Sequence, residues 1–351
     1  MQLLLNILSC PDKVRTLGLE DWDLVLRFAR HAHLLGHLYY LMDQNALWEL
    51  VPEKVRDILM GGHIYNRFFR LQARREIRQI AEVIQNVPVI LLKGAAYIES
   101  RCGAYGGRRL SDIDLMVRQS ELTAVEKTLL ASGWQYGEVN EYDQHYYRDW
   151  MHEVPPMVHQ YRNMEVDLHH NIVAPVSRIK VTAQKLFDKA VAIPDSSFLR
   201  LENKDLILHS ATHLFFNDEL RGGLRDLVDM HELCMEFASQ EDFWPELVSR
   251  ARELGMQRPL YYALSSLSRF LKTPVPAPVM AESQKDRPSF PVRVLMATLI
   301  QRQLAPESIN KLNTPFVAWL LFIRSHWIRM PLPMLIRHLS HKFWRSKFSS
   351  P

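Results

Sequence analysis

Asp112 and Asp114 stand two residues apart in Ser111-Asp112-Ile113-Asp114-Leu115-Met116-Val117, a stretch that alternates acid with apolar. Successive side chains of a β-strand point to opposite faces, so both carboxylates share one face while Ile113, Leu115 and Val117 face a core. Two acids side by side repel each other unless a cation lies between them, and such hard oxygen ligands suit Mg²⁺. A third acid, Asp167, sits in Glu165-Val166-Asp167-Leu168-His169, which alternates in the same way and reads as a neighbouring strand. Three carboxylates on adjacent strands are what two-metal phosphoryl or nucleotidyl transfer requires. Glu165, on the same face as Asp167, is a reserve ligand.

Leu91-Leu92-Lys93-Gly94 lies upstream of the acids, followed by Ala95-Ala96-Tyr97-Ile98. The apolar run Val87 to Leu92 reads as a buried strand that ends at Lys93-Gly94 and leads into a helix. Gly94 would let backbone approach a ligand, and a helix N-terminus attracts anions. Lys93 is either a solvated strand-end lysine or a cation that neutralises phosphate charge. Arg109 could clamp phosphate bidentately; Arg108 next to it reads as solvated.

These pieces taken in order (Leu92-Lys93-Gly94, Arg109, Asp112-Ile113-Asp114, then Val166-Asp167-Leu168-His169) resemble the nucleotidyltransferase superfamily that includes DNA polymerase β. More narrowly, they are similar to a bacterial branch of nucleotidyltransferase family proteins with the same signature, over roughly residues 60–235. Better-studied members place Gly-Ser ahead of the acid pair, where this chain has Lys93-Gly94. The resemblance implies an α+β fold: a polymerase β-like core, a small mixed sheet with helices, flanked by N-terminal and C-terminal helical regions. It implies Mg²⁺- or Mn²⁺-dependent transfer of NMP from an NTP, with release of pyrophosphate. Asp112, Asp114 and Asp167 would be the catalytic metal ligands, with Asp167 also the general base. Lys93, Gly94, Arg109 and Ser111 would bind the nucleotide. His169, His209, His213 and Asp226 would line the cleft. The acceptor stays open among a sugar, a lipid-linked group, a protein and RNA; the family's occurrence beside polysaccharide-assembly genes points to the first two. The rival reading is a non-catalytic module that binds a nucleotide or partner on the same fold.

His169 shares the face of Asp167 and either orients that acid or is a hydrogen-bonded structural histidine. His209 and His213 lie one turn apart on a predicted helix. Such a pair can bind zinc, but no Cys or Glu at ligand spacing completes a site. Three scattered cysteines, Cys10, Cys102 and Cys234, form no C-x-x-C motif, which argues for a reducing compartment. The apolar start, Met1 to Leu8, lacks a basic flank and reads as a buried helix. No run approaches the roughly 18–20 apolar residues of a spanning helix, so the expected location is cytoplasmic, with a peripheral place at the inner membrane surface as an extension.

At 351 residues the chain exceeds one typical domain. Residues 1–86 read as helical, 87–195 as the nucleotidyltransferase core and 196–351 as a C-terminal helical region. In the first region Leu24, Phe28, Ala32, Leu35 and Leu38 recur at helical spacing. From Val55 to Asn86 the expected apolar stripe is Ile64, Phe68, Leu71, Ile77, Ile80 and Ile84. Arg67, Arg70, Arg74 and Arg78 line another face, either solvated or turned to phosphate. Ser120 and Gly133 should bound a helix, and Trp134–Trp150 and Met157–Tyr161 read as strands. The net charge of +4 conceals an asymmetry: from Arg287 onward ten basic residues face one acid. In residues 311–347 aromatics interleave with basic residues, which suits packing on the body, an anionic membrane surface or nucleic acid.

Overall fold

Strand β2 (Asp112–Met116) lies at the centre of a seven-stranded mixed sheet, and the expected alternation holds there: Ile113 and Leu115 are fully buried. The computed structural model describes residues 1–137, 141–216, 220, 222–304 and 315–336. Four helices precede the sheet: α1 (Gln2–Ser9), α2 (Leu19–His31), α3 (Leu35–Gln44) and α4 (Glu53–Val83). Then come β1 (Ile90–Leu91), α5 (Lys93–Ser100), β2, α6 (Leu122–Ala131), β3 (Trp134–Tyr136), α7 (Glu141–His145), β4 (Met157–His159) and β5 (Glu165–His169). A short helix α8 (Ala183–Phe187) and a hairpin, β6 (Val191–Ala192) with β7 (Leu199–Arg200), close this part.

The sheet order is β3-β4-β5-β2-β1-β7-β6. β2 runs parallel to β5 and antiparallel to β1, which itself runs parallel to β7. The hairpin, which straddles residue 195, adds β7 beside β1 and β6 as the sheet edge, and its two-residue strands carry no readable alternation. Helices α9 (Asn203–Phe216), α10 (Leu224–Phe237), α11 (Phe243–Glu253), α12 (Gln257–Ser266), α13 (Ala277–Ser283), α14 (Phe290–Gln303) and α15 (Pro315–Arg329) follow. One apolar cluster runs from Leu4 to Leu321, through helices and sheet alike. Among the described residues no helix is long and apolar enough to cross a membrane.

Four expectations need correction. The helical run from Leu24 to Leu38 breaks at His33, which takes a left-handed φ of 57° between α2 and α3. On α4 the buried seam is Val55, Leu59, Asn66, Ala73, Glu76, Ile77 and Ile80, whereas Ile64, Phe68 and Leu71 are exposed. Two polar residues belong to that seam because each has a partner: Asn66 Nδ2 donates to the Gly107 carbonyl at 2.7 Å, and Arg162 Nη2 donates to Glu76 at 3.1 Å. Past β3, the stretch expected as strand turns into α7 and a π-helical turn over Tyr146–Trp150. Aromatic residues favour strands, but Tyr142, Tyr146 and Trp150 recur every fourth residue, and their rings meet edge-on. Finally, the arginine row of α4 is not wholly solvated. Arg70 donates to the Gly106 carbonyl at 2.9 Å and Arg74 to Ile98, near the end of α5, at 3.0 Å.

The described part of the basic, aromatic tail packs on the body. Val317, Leu321 and Ser325 of α15 are buried, and Arg324 donates to the Phe215 carbonyl at 2.7 Å under the Phe216 and Tyr262 rings. Residues 311–314 and 337–347 of that expectation lie outside the described residues.

The loop into β2 sits against α3 so closely that a Cβ on Gly107 would come within 2.2 Å of His37 Cα and 2.6 Å of the Gly36 carbonyl. Backbone cannot yield as a side-chain tip does. Gly107→Ala should therefore cost about 1–3 kcal/mol in denaturant unfolding, as overpacked sites do. Gly61→Ala, on α4 with nothing within 4 Å, should instead stabilise by about 0.5–1 kcal/mol, since Gly is the poorer helix former. Equal effects would contradict this packing.

Candidate metal centre

The parallel register of β2 with β5 sets Asp114 opposite Asp167, Asp112 opposite Glu165 and Met116 opposite His169. One carboxylate oxygen from each of Asp112, Asp114 and Asp167 lies within 4.8 Å of the others. The three acids singled out by alternation are thus brought together. Glu165, the reserve ligand, is exposed and outside that group. The Ser111 hydroxyl donates to Asp112 Oδ1 at 2.7 Å, so it orients the first acid.

Asp114 is buried, and Lys93 Nζ at 3.2 Å and His169 Nε2 at 3.1 Å both reach its Oδ1. Burial pushes this carboxyl up, but Lys93 and His169 outweigh it and hold Asp114 well below the ordinary carboxylate value. Asp167 has the opposite fate. Burial, then the charge of Asp114, push it up to about 8, and its Oδ1 is buried with no hydrogen-bond partner. Two neighbouring acids driven in opposite directions are a sign of a working site. An orphaned buried oxygen beside an ionised carboxylate fits a divalent cation, and an all-oxygen donor set suits Mg²⁺ or Mn²⁺.

Lys93 begins α5 with a left-handed φ of 41°, a strained value for a residue with a Cβ. Its side chain, expected on phosphate, here reaches the acid. Gly94 has a packing role as well. It is buried, and a Cβ there would meet Leu110 Cδ1 at 2.3 Å and Arg108 Nε at 3.0 Å. Its small size lets α5 close on the segment that leads into β2. Arg109 lines a cavity of about 460 Å³ together with Arg30, His33, Tyr65 and Asn66. There it stacks over Tyr65 and Phe69, 3.4 Å from His33 Nδ1.

Arg108, expected in solvent, is buried and pairs with Asp229 of α10 at 2.7 Å. Burial opposes its charge, but Asp229 and Asp226 outweigh that and hold it protonated. Asp226 pairs with Arg225 at 3.5 Å and, like Asp112, adds its charge to the field that stabilises Arg108. His209 and His213 of α9 stand 6.3 Å apart, ring to ring; His213 acts on Asp114, and Lys93, Asp114 and His169 act on His209. Burial, with Lys93 nearby, keeps His209 neutral.

The sequence reading missed His152 and Glu153. The segment runs antiparallel to the end of β5 through a Glu153–His169 bridge, which places Glu153 Oε2 3.2 Å from His169 Nδ1. Pro155 and Pro156, which cannot donate to a ladder, hide this strand-like stretch from pattern reading. Burial disfavours the His169 charge, but Glu153 and Asp114 overcome it and raise this histidine.

A family model described as an uncharacterised nucleotidyltransferase matches residues 19–272. The chain belongs to this nucleotidyltransferase family. The match takes in the α2–α4 helices, the whole sheet and α9–α12, so the helical surroundings are part of the family unit. No curated protein and no solved structure matches the chain.

The raised Asp167 carboxyl has a definite pH signature. Its folded value of about 8 exceeds the ordinary 3.8, so the folded protein holds an extra proton between these limits. Its contribution to stability is full below the lower limit and falls as pH rises toward 8. A divalent ion that binds in this window must displace that proton. Metal affinity should rise about tenfold per pH unit approaching 8 and level off above it. Asp167→Asn should flatten this dependence. Calorimetry in buffers of different ionisation enthalpy would count the proton; a wild-type affinity independent of pH would contradict the assignment.

Proposed function

We propose that this nucleotidyltransferase, of the polymerase β-like branch, moves NMP from an NTP to an acceptor hydroxyl or phosphate in a Mg²⁺- or Mn²⁺-dependent reaction. The observation that carries this is the three-acid group with its orphaned Asp167 oxygen. Asp112, Asp114 and Asp167 would hold the metal, which supplies polarisation of the α-phosphate and neutralises the leaving pyrophosphate. The acceptor oxygen attacks the α-phosphorus, the bond to the β-phosphate breaks, and the acceptor proton passes to Asp167. That role requires an ionised Asp167, a form that a nearby cation would favour over the protonated one. Lys93, which reaches Asp114 at 3.2 Å, would exchange that carboxylate for triphosphate oxygens at the start of α5. His169 holds Asp114 in place, and His209 and His213 line the same cleft. Arg109 and Arg30 make the neighbouring cavity suited to an anionic part of the nucleotide or acceptor. Arg109 lies three residues from Asp112, at most about 10 Å of extended chain.

The acceptor classes of this reading are a sugar, a lipid-linked group, a protein or RNA, in the cytoplasm. A peripheral contact with an anionic membrane through residues 311–347 would draw on Trp319 and Trp327, which are exposed on α15.

Pyrophosphate release, followed with each NTP and Mg²⁺ or Mn²⁺ over a panel of acceptors, tests the proposal. Asp167→Asn should keep most nucleotide affinity and lose about 10²–10⁴-fold in kcat, because a base acts in the transition state. Asp112→Asn/Asp114→Asn should abolish metal-dependent nucleotide binding. Metal-dependent binding without turnover would support the rival non-catalytic module; binding unchanged in the double variant would overturn both.

A further inference from the structure

His152, Glu153 and His169 form a second group, on the far side of Asp114 from Asp112, and one potential ligand atom from each lies within 4.8 Å of the others. We propose that these three residues bind one zinc-class divalent ion, at a site distinct from the three-acid group and joined to it through the His169–Asp114 contact.

Geometry makes the case. A tetrahedral ion about 2.1 Å from each ligand sets the ligand atoms about 3.4 Å apart. Glu153 Oε2 lies 3.2 Å from His169 Nδ1 and 3.9 Å from His152 Nε2. Despite its 3.2 Å approach, His169 Nδ1 makes no hydrogen bond, and neither does the buried Nδ1 of His152. An imidazole nitrogen 3.2 Å from a carboxylate with which it makes no hydrogen bond can share an ion with it. The other nitrogen of His169 fixes which atom carries the proton: Nε2–H donates to Asp114 Oδ1 at 3.1 Å, leaving Nδ1 as the lone-pair donor. Carboxylate, imidazole and metal in a row is the usual outer support of a metal-bound histidine.

The ligands are also held before any ion arrives. The Glu153–His169 bridge and the His170 amide bond to the His152 carbonyl, at 2.8 Å, fix both strands. The side chains of His152 and His169 are only 11% and 4% exposed, so little water competes. Two imidazoles and one carboxylate make a borderline donor set that favours Zn²⁺ or Co²⁺ over Mg²⁺, in contrast to the all-oxygen acids next door. The competing arrangement is a protonated His169 that bridges Asp114 and Glu153 with no metal.

Chelator-stripped full-length protein titrated with Co²⁺ reads this directly. One equivalent should produce visible d–d absorption, which Zn²⁺ should displace. His152→Ala and the near-isosteric Glu153→Gln should each weaken Co²⁺ binding at least about tenfold, while Asp112→Asn/Asp167→Asn should leave the band in place. Circular dichroism would confirm that the variants fold. Zinc-edge X-ray absorption of the loaded wild type should show two imidazoles, a reading that needs no variant. Absence of the band, a band unchanged in both His152→Ala and Glu153→Gln, or an absorption edge without imidazole scattering would overturn the site in favour of the protonated bridge.

Discussion

Carboxylates gathered in a nearly dry place must be neutralised, and the rest of this structure answers that constraint. Oxygens no more than 4.8 Å apart repel by about 3.5 kcal/mol per ionised pair at an effective dielectric near 20. Three devices relieve the strain. Lys93 and His169 both reach Asp114, and Asp167 keeps a proton. Each is reversible, since a lysine can swing, a proton can leave, and a histidine can carry or lend its charge. The acids are thereby stored in a form that a divalent cation can take over without rebuilding the sheet.

That storage depends on exact placement of three chain segments, and the helices supply it. Lys93 is set by the β1–α5 junction, where Gly94 lets α5 press on Leu110 and Arg108. The loop before β2 is gripped from two sides. On one side Asn66 and Arg70 of α4 bond to its carbonyls, and Gly107 lies against the α3 backbone. On the other, the buried Arg108–Asp229 pair ties it to α10. Breaking such a pair by removing one partner leaves a buried charge uncompensated, so Arg108 acts on Asp112 and Asp114 at a distance through the loop it anchors. This explains why the family unit extends well beyond the sheet, from residue 19 to 272.

The acid group was legible because period-2 alternation at Asp112–Val117 and Glu165–His169 is a local signal, and the pairing of parallel strands does the rest. What escaped was non-local. Arg108 looks like Arg109 in sequence, and only the arrival of Asp229 makes one a buried anchor and the other a cavity residue. The seam of α4 could not be read either, because Asn66 and Glu76 are buried through partners 41 and 86 residues away. Ile64, Phe68 and Leu71 form an equally good apolar stripe that the fold leaves outside. His152 and Glu153 lacked a pattern because prolines interrupt the strand they extend. Tyr142 to Trp150 misled in the other direction, where aromatic content outvoted a four-residue spacing.

The most direct test of the central claim, that Asp112, Asp114 and Asp167 jointly hold the catalytic cation, is a crystal structure with Mn²⁺ and a non-hydrolysable NTP analogue, with Mn²⁺ located by anomalous scattering. The account predicts an anomalous peak at bonding distance from all three carboxylates, triphosphate oxygens on the same ion, and Lys93 moved from Asp114 onto phosphate. A nucleotide bound elsewhere, or an ion held without Asp167, would contradict it.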